Sequence, residues 1–87
     1  MTKSIHREPY KQLCALLIAR RKEAGLSQYD LAEKLKRPQS FVAKVEVGER
    51  RIDVLEFLDI AHALDADPCE ILGALEVVYH NSQDNNL

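Results

Sequence analysis

No lysine or arginine occurs after Arg51 in this chain of 87 residues. Residues 53–87 carry eight acidic side chains and no basic one of those two types, a net of −8. Residues 20–51 carry nine lysines and arginines against five acids, a net of +4, and residues 1–19 add +2. The overall charge of −2 therefore conceals a strong polarity along the chain. Such an asymmetry suggests one face for a polyanion and another for something else; the alternative is two sets of merely solvated helix faces.

Other absences narrow the class. No apolar run approaches the roughly 20 residues of a membrane span, and the opening MTKSIHREPY lacks the apolar stretch of a secretory signal, so a soluble cytoplasmic protein with no membrane partner is expected. Cysteine is scarce. Cys14 and Cys69 lie far apart with no CxxC spacing and no histidine partners, which argues for two reduced, partly buried thiols and against a zinc site or a disulfide framework. His6, His62 and His80 are scattered, and there is no HExxH, glycine-rich phosphate loop or paired-carboxylate pattern. No enzyme, metal, cofactor or small-molecule ligand is expected. Strand signals, repeats and low-complexity segments are also missing.

What remains is helical. The length suits one domain over 1–87, with a core over about 9–79 and a frayed polar tail over 80–87. A first helix is predicted from near Pro9 to about Ala24, through Tyr10, Leu13, Cys14, Leu17 and Ile18, ending at Gly25. Ser27 caps a second helix to about Leu35, with Asp30 as a short-armed capping-box partner. Pro38 opens a third helix that stops at Gly48. Asp53 caps a fourth, whose Val54, Phe57, Leu58, Ala61 and Leu64 form one stripe, and Asp67-Pro68-Cys69-Glu70 starts a fifth that runs to about Tyr79. The fold class is all-α, a compact five-helix bundle.

The segment Gln28–Arg50 organises the rest. Leu31, Ala32 and Leu35 repeat at a helical spacing, and Val42, Val45 and Glu46 repeat after a break at Lys36-Arg37-Pro38. Two helices this short and this close imply a helix-turn-helix, whose second helix enters the major groove of double-stranded DNA. Gln39, Ser40, Ala43 and Lys44 face away from the apolar stripe. Gln matches adenine N6 and N7, Ser serves several base edges, and Lys donates to guanine or phosphate, so Gln39, Ser40 and Lys44 are the candidate base readers. Lys34, Lys36 and Arg37 are candidates for the DNA backbone; Arg50, also a backbone candidate, and Arg51 lie in the following loop and are divided evenly between that role and solvent.

Over about residues 11–72 the chain resembles the lambda-repressor-like family, the Cro and phage-repressor (XRE) type of helix-turn-helix. The resemblance rests on GLSQ before the second helix, LAEKL within it, VEVGER closing the third and IAHALDADPCEIL across the last two. It implies that Gln28 holds a DNA phosphate, that Gln39 and Ser40 read bases, and that Lys44 also faces the groove. Two positions depart from the family pattern. Lys36 stands where a left-handed turn favours Gly. Phe41 is larger than usual, and covering the core edge is the favoured reading over reaching a thymine methyl.

Two further expectations concern assembly. Glu46 lies on the inward stripe and needs a cation, and Arg21 and Glu46 occupy positions that resemble a paired Arg and Glu in phage repressors; the alternative is a Glu46 that points to solvent. Ile71, Leu72, Leu75, Val78 and Tyr79 form an apolar stripe on the fifth helix, predicted as the interface of a homodimer on a roughly palindromic operator, the alternative being a stripe that only caps the monomer core. The function expected is a sequence-specific transcriptional regulator, an autoregulating repressor. The alternative is an antitoxin-like module binding a partner protein as well as its own promoter.

Overall fold

A computed structural model of the chain describes the backbone of residues 2–85 and the side chains of residues 9–81. The described residues form five helices and no strand: α1 (Thr2–Glu23), α2 (Gln28–Leu35), α3 (Gln39–Glu46), α4 (Val54–Ala63) and α5 (Pro68–Asn85). The core is assembled from one face of each. Cys14 and Leu17 of α1, Leu31 and Ala32 of α2, Phe41, Val42 and Val45 of α3, Phe57, Ile60 and Ala61 of α4, then Leu64 and Ile71 are all buried. Helix α2 packs on α3 and α4, while α1 packs on α3 and α5. The two short helices of the turn motif are thus clasped between longer ones, because eight residues apiece are too few to be stable alone.

Local chemistry sets the boundaries. Ser27 Oγ accepts from the Asp30 N–H and Asp30 Oδ2 accepts from the Ser27 N–H, both at 3.0 Å, and the same box joins Asp53 and Glu56 at the start of α4. The Ser27 N–H, and after it the Ser27 hydroxyl beside the carboxylate, hold the exposed Asp30 carboxyl below its usual range. At the other ends, α1 to α4 all close alike. A left-handed residue donates to the carbonyl three back, and the next donates to the carbonyl five back: Gly25 to Lys22 and Leu26 to Arg21, Lys36 to Glu33 and Arg37 to Ala32, Gly48 to Val45 and Glu49 to Lys44, Asp65 to His62 and Ala66 to Ala61. Gly25 and Gly48 fill the role without strain. A Cβ at either would meet nothing within 4 Å, so only backbone conformation calls for glycine there.

Three sequence expectations are corrected. Helix α1 begins at Thr2, not Pro9: the fixed φ of proline is itself helical, so the backbone continues N-terminal to it with one hydrogen bond missing. Helix α5 runs to Asn85 rather than fraying after Tyr79, since nothing between Tyr79 and Asn85 is a helix breaker; the last two residues of the expected tail, 86–87, lie outside the described residues. Of the two thiols, Cys14 is buried and donates to the Val45 carbonyl at 3.4 Å, whereas Cys69 is exposed. No described helix is long and apolar enough to cross a membrane.

Lys36 adopts φ 57 and ψ 44, the left-handed turn that glycine would supply. The strain of a left-handed non-glycine residue is about 1–2 kcal/mol, and glycine costs roughly 0.5–1 kcal/mol in chain entropy. Lys36→Gly is therefore expected to stabilise the protein by about 0.5–1 kcal/mol in urea unfolding. A loss of stability would show that the lysine side chain contributes more than its backbone strain removes.

Candidate nucleic-acid interface

Helix α3 presents two unlike faces. Successive residues turn about 100°, so Val42 and Val45 point into the core, while Gln39, Ser40 and Lys44 emerge on the other side, all three exposed. Ala43 lies half-buried among them. Val47, one turn beyond Ala43, is 70% exposed, an apolar side chain in line with the polar face that the sequence pattern had left without a role.

One flank of α3 is held by a buried carboxylate. Arg21 of α1 meets Glu46 through two parallel bonds, Nε to Oε2 at 2.6 Å and Nη2 to Oε1 at 3.0 Å, with side chains only 10% and 6% exposed. Arg21 Nη1 donates to the Leu26 carbonyl at 2.8 Å, tying the α1–α2 connection to the same group. Glu46 Oε1 also accepts from Gln28 Nε2 at 2.8 Å, and Gln28 Oε1 accepts from Gln39 Nε2 at 2.8 Å. A carboxylate only accepts, so Gln28 must turn its NH₂ inward and its oxygen towards Gln39. Gln39 in turn gives one N–H to Gln28 and keeps its Oε1 and second N–H. That is the donor and acceptor pair that adenine requires. The sequence pairs Arg21 with Glu46 by resemblance and relates neither to Gln28 or Gln39; the structure makes the four one chain, from a buried ion pair to the tip of an exposed amide.

The other flank is built around Glu56, which the sequence reading did not single out. Phe41 is buried at the core edge, 9% exposed, between the core face and Lys44. Arg37 and Arg50 stack on its ring, with guanidinium carbons 4.3 and 4.9 Å from the centroid. Arg50 forks onto Glu56 at 3.1 and 2.9 Å and donates to the Arg51 carbonyl at 2.7 Å, and Arg37 Nη2 reaches Glu56 Oε2 at 3.4 Å. Hydrogen bonding to Arg50, and then to the Asp53 N–H, holds the Glu56 carboxyl below its usual range. Both arginines, candidates for the DNA backbone, are also engaged within the protein. Asp53 and Glu56 show a capping spacing in the sequence, but nothing periodic relates Glu56 to Arg50 across the α3–α4 loop. Lys34 and Lys36 are exposed near the turn, and Arg51 lies over the Tyr10 ring at 4.5 Å.

The helix-turn-helix family profile matches residues 17–71. An XRE-family like protein from Pseudomonas syringae pv. tomato str. DC3000 is 47% identical, with TM-score 0.81 over 87% of this chain and 93% of that chain. The chain belongs to the XRE-type helix-turn-helix family. As a member it is a DNA-binding transcriptional regulator. The clp gene regulator ClgR from C. glutamicum shares the fold at 22% identity and TM-score 0.71, over 78% of this chain and 88% of that chain. No curated protein sequence matches. In this XRE-type chain the matched span contains both flanks of α3, from Leu17 through the Glu46 and Glu56 clusters to Ile71.

The apolar stripe expected on α5 as a dimer interface is partly taken up by the chain's own core. Ile71 is fully buried in the chain's own core, because the first turn of α5 closes the bundle. Leu75 and Val78 are half-buried, while Leu72 and Tyr79, with Val77, remain about half exposed.

The buried pair yields a stability prediction. Arg21→Met strands the Glu46 carboxylate with Gln28 as its remaining partner and is expected to cost about 3–5 kcal/mol in urea unfolding. A cycle combining it with Glu46→Met should give a coupling energy well above ~1 kcal/mol, and additive losses would reject the pair as an energetic unit.

Proposed function

We propose that the protein is an autoregulating repressor that binds a roughly palindromic operator as a homodimer. The observation that carries this reading is the amide of Gln39, held in one orientation by Gln28 and Glu46 at the exposed start of α3. A side chain already fixed loses less entropy on meeting a base edge. Gln39, Ser40 and Lys44 read bases, and Val47 is suited to a thymine methyl. Gln28 uses its remaining N–H on a phosphate, and Lys34 and Lys36 serve the backbone alongside the flank that carries Arg37 and Arg50. A helix of eight residues reads only a few base pairs, so useful specificity calls for two copies set about 34–36 Å apart.

The acidic half supplies the joint in this reading. Leu72 and Tyr79 on α5 are apolar, about half exposed, and remote in sequence from the basic segment; with Leu75 and Val78 half-buried behind them, they extend the core outward. Exposed Val54 and Leu55 on α4 favour a second reading, in which this half also receives a partner protein in the manner of an antitoxin.

Selection of bound fragments from random DNA defines the operator. On that site Gln39→Ala should cost about 1–3 kcal/mol while leaving affinity for random DNA nearly unchanged. An equal loss on both would mark Gln39 as a backbone contact.

Sedimentation at micromolar concentration tests the joint separately. A dimer is expected for the wild type, and Leu72→Asp or Tyr79→Asp should convert it to a folded monomer. A wild-type monomer, or a dimer indifferent to both changes, would remove α5 as the interface.

A further inference from the structure

The two clusters beside α3 differ in what they leave available. On the Glu46 side the arginine is buried and the exposed ends are neutral amides. On the Glu56 side two guanidinium groups, with side chains 39% and 42% exposed, share a single carboxylate that is only 13% exposed. Arg50 has five N–H donors, and three of its hydrogen bonds go to Glu56 and the Arg51 carbonyl, while its flat face lies on Phe41. Arg37 lies on the same ring and reaches the same carboxylate. Phe41 sits between Lys44 and the core face of α3, so both arginines border the surface proposed to meet DNA.

We infer that Glu56 limits the protein's hold on DNA of any sequence: by sharing its one charge between Arg37 and Arg50, it makes this flank offer the phosphates one net positive charge instead of two. This rests on the DNA-binding reading above and deepens it. Binding to random DNA is almost wholly electrostatic, whereas base contacts by Gln39 and Ser40 do not depend on these cations. A carboxylate that restrains the flank therefore weakens binding to random DNA, where no base contact compensates, and lowers its salt dependence. It does this from a position with no DNA contact of its own. Glu56 is held in place for that task by a further bond that Oε1 accepts from the Asp53 N–H at 2.9 Å, which anchors it to the start of α4.

Glu56→Gln tests the inference, because glutamine keeps the acceptor for the Asp53 N–H and removes only the charge. Binding to a fluorescent random-sequence duplex is measured across a salt series for both proteins. Each phosphate neutralised contributes a slope of about −0.9 to log K against log salt. The variant is expected to bind more tightly with a slope steeper by about 0.9, so its advantage over wild type grows about 3.5-fold for a fourfold dilution of salt. Adding Arg50→Gln to Glu56→Gln should return the slope to that of the wild type. Glu76→Gln, which neutralises an exposed carboxylate on α5, should leave the slope unchanged. Weaker binding or a shallower slope for Glu56→Gln would mean that Glu56 instead orients the arginines towards phosphate, and an equal steepening with Glu76→Gln would reduce the effect to net charge; either overturns the inference. A salt-dependent wild type with an unchanged variant slope defeats this inference alone, whereas a wild type that ignores salt defeats the DNA-binding reading as well. Should Glu56→Gln fail to fold, the wild type still decides. The guanidinium N–H signals of Arg50 in NMR should stay those of a carboxylate pair when the random duplex is added, and a shift to phosphate contact would refute the restraint.

Discussion

The position of α3 depends on a carboxylate that would be unstable where it lies without its partners. Glu46 occupies the inward side of the helix beside Val42 and Val45, where an unpaired charge carries a large desolvation cost. Arg21 offsets that cost with two short bonds, and the guanidinium reaches on to the Leu26 carbonyl. The end of α1, the start of α2 and the end of α3 are thereby held to one group. A hydrophobic residue at 46 would pack there without such directional demands. The ion pair instead fixes how α3 sits against α1, and through Gln28 it carries that orientation out to Gln39.

Two carboxylates bracket the helix, and their different burial gives them different consequences. Around Glu46 the charges are enclosed, and the exposed ends of the network are neutral amides with a defined direction. Around Glu56 the arginines remain partly in solvent, so their charge is still felt outside the protein and is moderated rather than removed. Phe41 links the second cluster to the core: one edge is buried with Val42 and Ile60, and its ring supports both guanidinium groups. Its ring is large enough to support both at once.

Charge segregation along the chain becomes segregation between helices. The basic residues belong mainly to the end of α1, to α2, α3 and the loop after it, whereas α4, α5 and the turn between them carry acids and no lysine or arginine. Two acids of the later helices reach across this division: Glu56 joins the basic flank of α3, and Glu70 meets Arg20 of α1 at 3.4 Å. Elsewhere the acidic half carries exposed apolar side chains, Val54, Leu55, Leu72, Val77 and Tyr79, away from the polar face of α3.

Helix existence, order and most boundaries were legible in the sequence because they rest on local chemistry. Ser27 with Asp30, Asp53 before Val54, Pro38 and Gly48 each act within a few residues, and the apolar spacing of Leu31, Val42, Phe57 and Ile60 marks the face that must be buried. The inward place of Glu46 followed from the same periodicity, and its pairing with Arg21 from family resemblance. Only the tertiary structure decided what the polar side chains do to one another. Gln28 meets Gln39 across 11 positions, Arg37 meets Glu56 across 19, and Arg50 meets Glu56 across an irregular loop, none of which any repeat in the sequence encodes. Ile71 was ambiguous for a related reason: a stripe says that a face is apolar but not what covers it, and the packing of α5 back onto the bundle assigns Ile71 to the core. Hydrophobic pattern specifies which surfaces must leave water. The pairing of charges and amides depends on distances that exist only once those surfaces have met.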